Sequence, residues 1–196
     1  MLFVFVLADA KVHFGGGYPM FVVQYRDHTS FDELRVDLAQ TESDLNSFWH
    51  HDASVISIQH VWEIPDDAQL FRLIVAGSRD FNDYPLLRSK LDFFLQHQPY
   101  TIIVSGAARG ADSLGEDYAK ERGLPIDQFP ADWNPLHLKG KLDRSAGYRR
   151  NEQMAKVSQG CVCFWDGTSR GTEHMINLAN KYKLQTRVVK YEEELV

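Results

Sequence analysis

Cysteine is scarce in this sequence: the chain of 196 residues contains two, Cys161 and Cys163. They stand two positions apart in an apolar run, where a strand directs both side chains to the same face but rarely permits a disulfide between them. A thiolate metal site would need further cysteines, and the eight histidines are scattered along the chain. We therefore expect reduced thiols in a protein core, no metal, no cofactor and a cytoplasmic location.

An excess of basic residues is also missing. The sequence has 27 acidic against 21 basic side chains, a formal net charge of −6, so its bulk surface should repel DNA, RNA and anionic lipid. It also lacks a long basic stripe with interleaved aromatic residues, which is typical of single-strand binders. A nucleic-acid partner is therefore not expected, and any anion has to be captured locally by a focused site.

Long apolar runs and common nucleotide-binding motifs are absent as well. No stretch approaches the roughly 20 apolar residues of a membrane span, so no membrane partner is expected. Residues 1–10 are apolar but lack a basic n-region and carry Asp9, so we interpret them as a buried strand. The sequence contains no G-x-G-x-x-G and no G-x4-G-K-[ST], which gives no support to a dehydrogenase or a P-loop enzyme.

The first 66 residues form a predicted small α+β unit of unknown role. Its β-rich or alternating runs predict strands at 1–10, 20–25 and 55–62. Between the last two, Ser30 and Glu33 have the spacing of a capping box at a helix start. The apolar stripe of this predicted helix consists of Phe31, Leu34, Leu38, Leu45 and Trp49. The unit is then ββαβ, and its exposed strand edges predict a homo-oligomer.

Residues 70–196 follow a strict alternation of strand, loop and helix after a short linker at 64–67. Strands are predicted at 70–76, 100–105, 125–129, 160–165 and 186–191. Helices are predicted at 85–97, 111–122, 146–158 and 172–182. This order predicts an α/β fold, a Rossmann-like five-stranded parallel sheet with helices on both faces. Such sheets bind ligands outside the carboxyl ends of their strands.

Glycine and arginine are concentrated in the loops that follow the predicted strands. The segments are Gly77-Ser78-Arg79, Ser105-Gly106-Ala107-Ala108-Arg109-Gly110-Ala111-Asp112, Ala131-Asp132-Trp133, Gly147-Tyr148-Arg149-Arg150-Asn151 and Ser169-Arg170-Gly171-Thr172. Glycine lets the backbone approach a phosphate, and arginine recognises phosphate through a planar, permanently charged fork. Arginines that converge on one crevice of an acidic protein favour a phosphate site. The alternative is that they cap helix ends or pair with nearby carboxylates.

Two further loop residues each allow two interpretations. Asp112, at a predicted helix start, is either a partner of the helix dipole or an acceptor for a ribose hydroxyl. Trp133 either stacks on a base or belongs to the core.

Together these segments, with Met154, resemble the YspA-type branch of the SLOG superfamily over residues 71–191. That superfamily also contains the LOG phosphoribohydrolases and the DNA-processing protein DprA. The resemblance implies a Rossmann-like fold and recognition of nucleotides or nucleotide-derived signals, often in phage or bacterial conflict. Residues 1–64 show no such resemblance.

Part of the LOG catalytic pattern is present. LOG enzymes cleave the N-glycosidic bond of a nucleoside monophosphate at a site with R-K-x-x-M and P-G-G-x-G-T-x-x-E motifs. Here Arg150-Asn151-Glu152-Gln153-Met154 matches the first motif with Asn in place of Lys. Gly171-Thr172 matches part of the second, but Met175 stands where the glutamate would be, and Glu173 directly follows Thr172.

The favoured function is binding or sensing of a nucleotide or nucleotide-derived phosphate ligand. The expected ligand-binding residues are Gly77, Ser78, Arg79, Ser105, Gly106, Ala107, Arg109, Gly110, Asp112, Trp133, Arg149, Asn151, Ser169, Arg170, Gly171 and Thr172. The alternative is a hydrolase of an N-glycosidic bond, in which Arg150 orients phosphate or ribose and Glu173, Asp112 or Asp132 supplies the carboxylate. Single-stranded DNA binding, as in DprA, is a third and less favoured function.

Overall fold

The computed structural model describes residues 20–29, 32–49, 56–65, 67–135 and 141–191. The strand predicted at 1–10 lies outside these ranges. In chain order the elements are β1 (Met20–Asp27), β2 (Glu33–Ala39), α1 (Glu42–Trp49), β3 (Ile56–Ile64), β4 (Phe71–Gly77), α2 (Tyr84–Phe94), β5 (Thr101–Ser105), α3 (Ala111–Arg122), β6 (Ile126–Gln128), α4 (Ala146–Val157), β7 (Gly160–Trp165), α5 (Arg170–Lys181) and β8 (Gln185–Lys190).

The larger sheet has five parallel strands in the order β6-β5-β4-β7-β8. The central strand β4 is continuously apolar from Leu73 to Ala76, because helices cover both faces of the sheet. Along β4, Leu73 and Val75 lie in the core cluster that includes α2 and α3, whereas Ile74 and Ala76 lie in the cluster that includes α4 and α5. The predicted fold class is confirmed, and the predicted strands and helices of this sheet agree with the observed ones to within a few residues.

The strand order creates a crevice at one edge of this sheet. From β4 the chain continues to β5 on one side, and it later returns to β7 on the other side of β4. Because the connections leave in opposite directions at this point, the loops after β4, β5 and β7 diverge. The crevice between them is the expected location of a ligand.

The two cysteines lie inside this domain, on β7. Both are free and fully buried in the cluster covered by α4 and α5. Their sulfur atoms are 3.4 Å apart, as expected for two thiols on the same face of a strand.

The N-terminal unit contains a separate antiparallel sheet in the order β2-β1-β3. The predicted helix from Ser30 to Trp49 is wrong in its first half, because residues 33–39 form β2. Leu34 and Val36 alternate with polar residues and are buried, a period of two that packs a strand. The helix α1 starts later and is capped by Thr41 and Asp44, each of which accepts the other's backbone N–H at 3.0 and 3.1 Å.

The N-terminal sheet docks against β6, the edge strand of the parallel sheet. Asp127 of β6 is buried, and its carboxylate lies 3.1 Å from Arg72 of β4 and 3.6 Å from Arg35 of β2. Two glutamine side chains of the interface accept backbone N–H groups: Gln24 from Ile126 at 2.6 Å and Gln128 from Leu34 at 3.0 Å. The short β6 is therefore fixed from both sides, although β2 and β6 do not pair as strands.

Within the described ranges, no helix combines the length and the apolar character that crossing a bilayer requires.

The helix α3 packs closely on β4 at Gly115. A Cβ added at Gly115 would lie 2.7 Å from Val75 Cγ1 and 2.8 Å from Val75 Cβ. We expect Gly115→Ala to lower the free energy of unfolding, since overpacking of about 1–3 kcal/mol outweighs a helix-propensity gain of about 1 kcal/mol. Urea unfolding checks this, with Lys120→Ala on the exposed face of the same helix as control. A G115A chain that is more stable than the wild type would contradict the packing.

Candidate functional site

The loops after β4, β5 and β7 enclose a space of about 460 Å³ with α4 and α5, here called the main cavity. The predicted site residues that line it are Gly77, Ser78, Arg79, Asp112, Trp133, Arg150, Asn151, Ser169, Gly171 and Thr172. The other lining residues were not predicted from the sequence: Ala76, Asp80, Ala108, Arg144, Gly147, Tyr148, Met154, Asp166 and Met175. Asp80 and Asp166 lie in the loops that follow β4 and β7, and this position in the sequence could have identified them as site residues. Arg144 precedes a helix rather than following a strand, so the pattern missed it.

Two smaller spaces adjoin the main cavity. The loop cavity, about 270 Å³, lies along Gly106, Ala107 and Arg109 and shares Arg79 and Arg150 with the main cavity. The sheet cavity, about 230 Å³, lies between β2, the loop after β6 and α4, and it contains the predicted residues Asp132 and Arg149. Arg150 lines all three spaces.

Four predicted site residues line none of these three cavities: Ser105, Gly110, Arg170 and Glu173. Ser105 is buried and supports its loop, because its hydroxyl donates to Glu116 at 2.7 Å and accepts the Ala107 N–H at 3.0 Å. Arg170 and Glu173 are exposed in the first turn of α5. Their side chains are open to solvent and border none of the three cavities.

Three helices begin at this crevice without a side-chain cap. Gly110, Ser145 and Ser169 are the N-cap residues of α3, α4 and α5, and none makes a side-chain capping hydrogen bond. In contrast, α2 has an ordinary cap, in which Asp83 accepts the Leu86 N–H. The first N–H groups of a helix have no intrahelical partner and carry partial positive charge. Helix starts of this kind are suited to an anionic ligand.

Arg150 and Asp112 form a buried ion pair at the floor of the crevice. The guanidinium of Arg150 lies 3.6 Å from the Asp112 carboxylate, with side chains 13% and 6% exposed. The same guanidinium donates to the Gly106 carbonyl and to Asn151 Oδ1. Burial raises the pKa of Asp112 to about 6, against the opposing effects of Arg150 and of hydrogen bonds from the Ala108 and Gly106 backbone. Burial lowers the pKa of Arg150.

The loop after β5 depends on a missing side chain at Gly106. A Cβ at this position would collide with the Arg150 guanidinium and lie 2.6 Å from Asp112 Oδ2. The next residue, Ala107, has a φ of 52°, which is uncommon for a residue with a Cβ. The chain therefore turns sharply here, and its backbone passes close to the buried pair.

The arginines of the site differ in their partners. Arg149 is bound to Asp143 at 2.5 Å and to Ser145, and this ion pair holds the pKa of Asp143 well below its usual range. Within the described ranges, Arg79 and Arg144 are exposed and make no ion pair or hydrogen bond. Because both line the main cavity, their charges are available to a ligand.

Two of the carboxylates at the main cavity have their oxygens occupied by the protein itself. Asp166 accepts the N–H groups of Thr168 and Ser169 at 2.8 and 2.7 Å, and backbone hydrogen bonds contribute to its lowered pKa. Asp112 is held by Arg150, as described above. The aromatic residues Trp133 and Tyr148 are 37% and 44% exposed, so Trp133 is not a core residue. It lies over Gly147, whose added Cβ would be 3.1 Å from the indole ring.

Comparison with known proteins identifies the family. The sequence profile of the YspA, cpYpsA-related SLOG family matches residues 71–135. Gene 61 protein of Mycobacterium phage D29 is 32% identical over 117 residues, which cover 56% of this chain and 89% of the phage protein. The chain belongs to the YspA-related SLOG family. The SLOG family suggests a domain that binds a nucleotide-related ligand.

A solved structure of DNA processing protein A from Helicobacter pylori, described for its single-stranded DNA binding mode, is also similar to this SLOG chain. The TM-score is 0.44 at 15% sequence identity, and the match covers 64% of this chain and 66% of that one. The chain thus spans slightly less than two thirds of the length of that structure.

The raised pKa of Asp112 predicts a dependence of stability on pH. In the folded protein this carboxyl keeps its proton up to about pH 6, whereas its ordinary pKa is 3.8. The stability that Asp112 contributes is therefore complete below about pH 4 and is lost as pH rises through 6, a difference of about 3 kcal/mol. We expect Asp112→Asn to flatten this decline, measured by urea unfolding between pH 4 and 7.

The exposed Asp117→Asn on the same helix serves as the control and should keep the wild-type slope. Asp127, whose pKa burial also raises to about 6, contributes in the same direction in all three proteins. If the D112N and wild-type curves run parallel, Asp112 does not retain its proton in the folded state.

Proposed function

We propose that this protein binds a nucleotide or nucleotide-derived ligand, with its phosphate in the main cavity. One observation supports this most strongly: two arginines without partners among the described residues, Arg79 and Arg144, face the same cavity as the uncapped start of α5. A volume of about 460 Å³ is within the range of roughly 300–1,000 Å³ typical of small-molecule sites. The net charge of −6 makes a local positive site more selective for a small anion than for a polyanion.

The proposed roles of the remaining residues follow from their positions. The phosphate lies between Arg79, Arg144 and the N–H groups at Gly171 and Thr172, which combines guanidinium and helix-dipole attraction. The exposed ring of Trp133, which lines the main and loop cavities, offers a flat apolar surface for the sugar of the ligand. Asp112 and Arg150 hold the loop after β5 in the shape that closes the cavity, because their contacts are directed at the loop backbone and at each other.

Arginine substitutions test the phosphate site. We expect Arg79→Ala and Arg144→Ala each to weaken binding of nucleoside monophosphates, NAD or ADP-ribose about tenfold to a hundredfold, the value of a charge-assisted hydrogen bond. Isothermal titration calorimetry measures the change, after mass spectrometry of ligands released from the purified protein has guided the choice of nucleotide. Arg187→Ala on β8 is the matched control, since Arg187 is exposed and lines none of the three cavities.

The outcome that contradicts the proposal is equally defined. A wild-type protein that binds none of these nucleotides has no nucleotide site. If R187A loses as much nucleotide affinity as R79A and R144A, the effect comes from the overall charge of the protein and not from the cavity.

Hydrolysis of an N-glycosidic bond is a second candidate, favoured by Asp112. Its buried carboxyl lines the main cavity, and its pKa of about 6 suits an acid that acts near neutral pH. In such a reaction a water hydroxyl is added to the anomeric carbon and the base leaves with a proton, so a carboxyl group has to lie beside the sugar. The other proposed carboxylates are less well placed: Glu173 lines none of the cavities, and Asp132 lines the sheet cavity.

Chromatography of free base separates binding from turnover. If the protein is a hydrolase, base accumulates with the wild type and the rate falls at least a hundredfold in Asp112→Asn, while D112N still binds the nucleotide. Absence of free base with a nucleotide that binds tightly excludes the hydrolase for that nucleotide.

A further inference from the structure

The N-terminal sheet has no part in the proposed phosphate site, yet it borders a cavity beside that site. This is the sheet cavity of about 230 Å³. Its walls come from β2, from the loop after β6 and from α4, and they include Glu33, Arg35, Phe129, Asp132, Arg150 and Gln153. Because Arg150 lines the main cavity as well, the two spaces share a wall.

We propose that the sheet cavity holds the nucleobase of the ligand, with the Glu33 carboxylate accepting hydrogen bonds from N–H groups on the base edge. This inference rests on the proposed function, since it places the base of a ligand whose phosphate lies at Arg79 and Arg144. The N-terminal sheet is then a specificity element for the SLOG domain.

The charges in the sheet cavity argue against a second phosphate there. Two carboxylates, Glu33 and Asp132, belong to its lining. Two of its arginines are already engaged: Arg35 with Glu33 at 3.2 Å and Arg149 with Asp143 at 2.5 Å. An anion in this position would face carboxylates without a free guanidinium from either residue. A neutral ring with donors and acceptors on its edge matches this lining better.

The size of the sheet cavity points in the same direction. About 230 Å³ is below the range of roughly 300–1,000 Å³ in which complete small-molecule ligands are bound. The space therefore suits one ring system, with the rest of the ligand extending past Arg150 into the adjoining cavities.

The Glu33 carboxylate is held in a fixed position. Its side chain is 11% exposed and accepts a hydrogen bond from Arg35. Arg35 in turn lies 3.6 Å from Asp127 and packs its guanidinium 4.9 Å from the centre of the Phe129 ring. A carboxylate can accept about four hydrogen bonds, so Glu33 keeps capacity for a ligand. A carboxylate fixed before binding loses little entropy when the ligand arrives.

Gln153 supplies a second polar group to the same space. It is exposed on α4 and makes no hydrogen bond within the described ranges. Its amide carries both donors and an acceptor. Among the bases, guanine matches this pair best, because its N1–H and N2–H groups lie side by side and can both donate to one carboxylate, while its O6 accepts from an amide.

The test compares three ligands: GMP, AMP and ribose 5-phosphate. We expect the wild type to bind GMP more tightly than AMP. The substitution Glu33→Gln should lower the affinity for GMP about tenfold or more, the value of a hydrogen bond to a charged group. Binding of ribose 5-phosphate should not change in E33Q, which also shows that the variant is folded. Glu63→Gln on β3 is the matched control, an exposed glutamate of the same sheet that lines none of the cavities.

The outcomes separate this inference from the function on which it rests. If R79A weakens all three ligands but E33Q leaves the ratio of GMP to AMP affinity unchanged, the phosphate site stands and the base site is wrong. If E33Q weakens all three ligands equally, Glu33 only supports the fold of the crevice. If the wild type binds none of the three, the base site is wrong, and the phosphate site is wrong as well if NAD and ADP-ribose also fail to bind.

Discussion

The site depends on the buried contact between the Arg150 guanidinium and the loop after β5. This guanidinium joins α4 to the Gly106 carbonyl and to the Asp112 carboxylate at the start of α3, so one side chain fixes the relative position of two helices and one strand end. A buried arginine needs such partners, because an unpaired charge in this position costs several kcal/mol. The absence of a Cβ at Gly106 is the condition that lets the guanidinium reach the backbone.

The arginines of the crevice differ in whether a carboxylate of the protein neutralises them. Arg150 is neutralised in part by Asp112, and Arg149 by Asp143, so these arginines shape the loops rather than attract a ligand. In the proposed site the attraction comes from Arg79 and Arg144, which make no ion pair within the described ranges, and from three helix starts without side-chain caps. An arginine of these motifs that pairs with a carboxylate supports a loop, whereas an arginine without such a partner is available to a ligand.

The parallel sheet could be predicted from the sequence alone, but the partners of its loop residues could not. Apolar runs that alternate with helical stripes fix the order of strands and helices, and the loop positions follow from that order. The pairing of Arg149 with Asp143 and the exposure of Glu173 depend on tertiary packing, which no local pattern encodes. The helix predicted over the residues of β2 was wrong for a different reason. Leu34 and Leu38 fit the period of a helix as well as the period of a strand, and the capping-box spacing of Ser30 and Glu33 favoured the helix.

The N-terminal sheet and the crevice are mechanically connected through β6. This strand has three residues, too few to hold its position by pairing with β5 alone, and Asp127 at its centre is clamped between Arg35 and Arg72. The chain leaves β6 directly into Phe129, which packs under Arg35, and into the loop that carries Trp133 to the main cavity. A displacement of β2 would therefore move a wall of the crevice without any contact between β2 and the proposed phosphate site. The docking of the N-terminal sheet sets the shape of the crevice through this short strand.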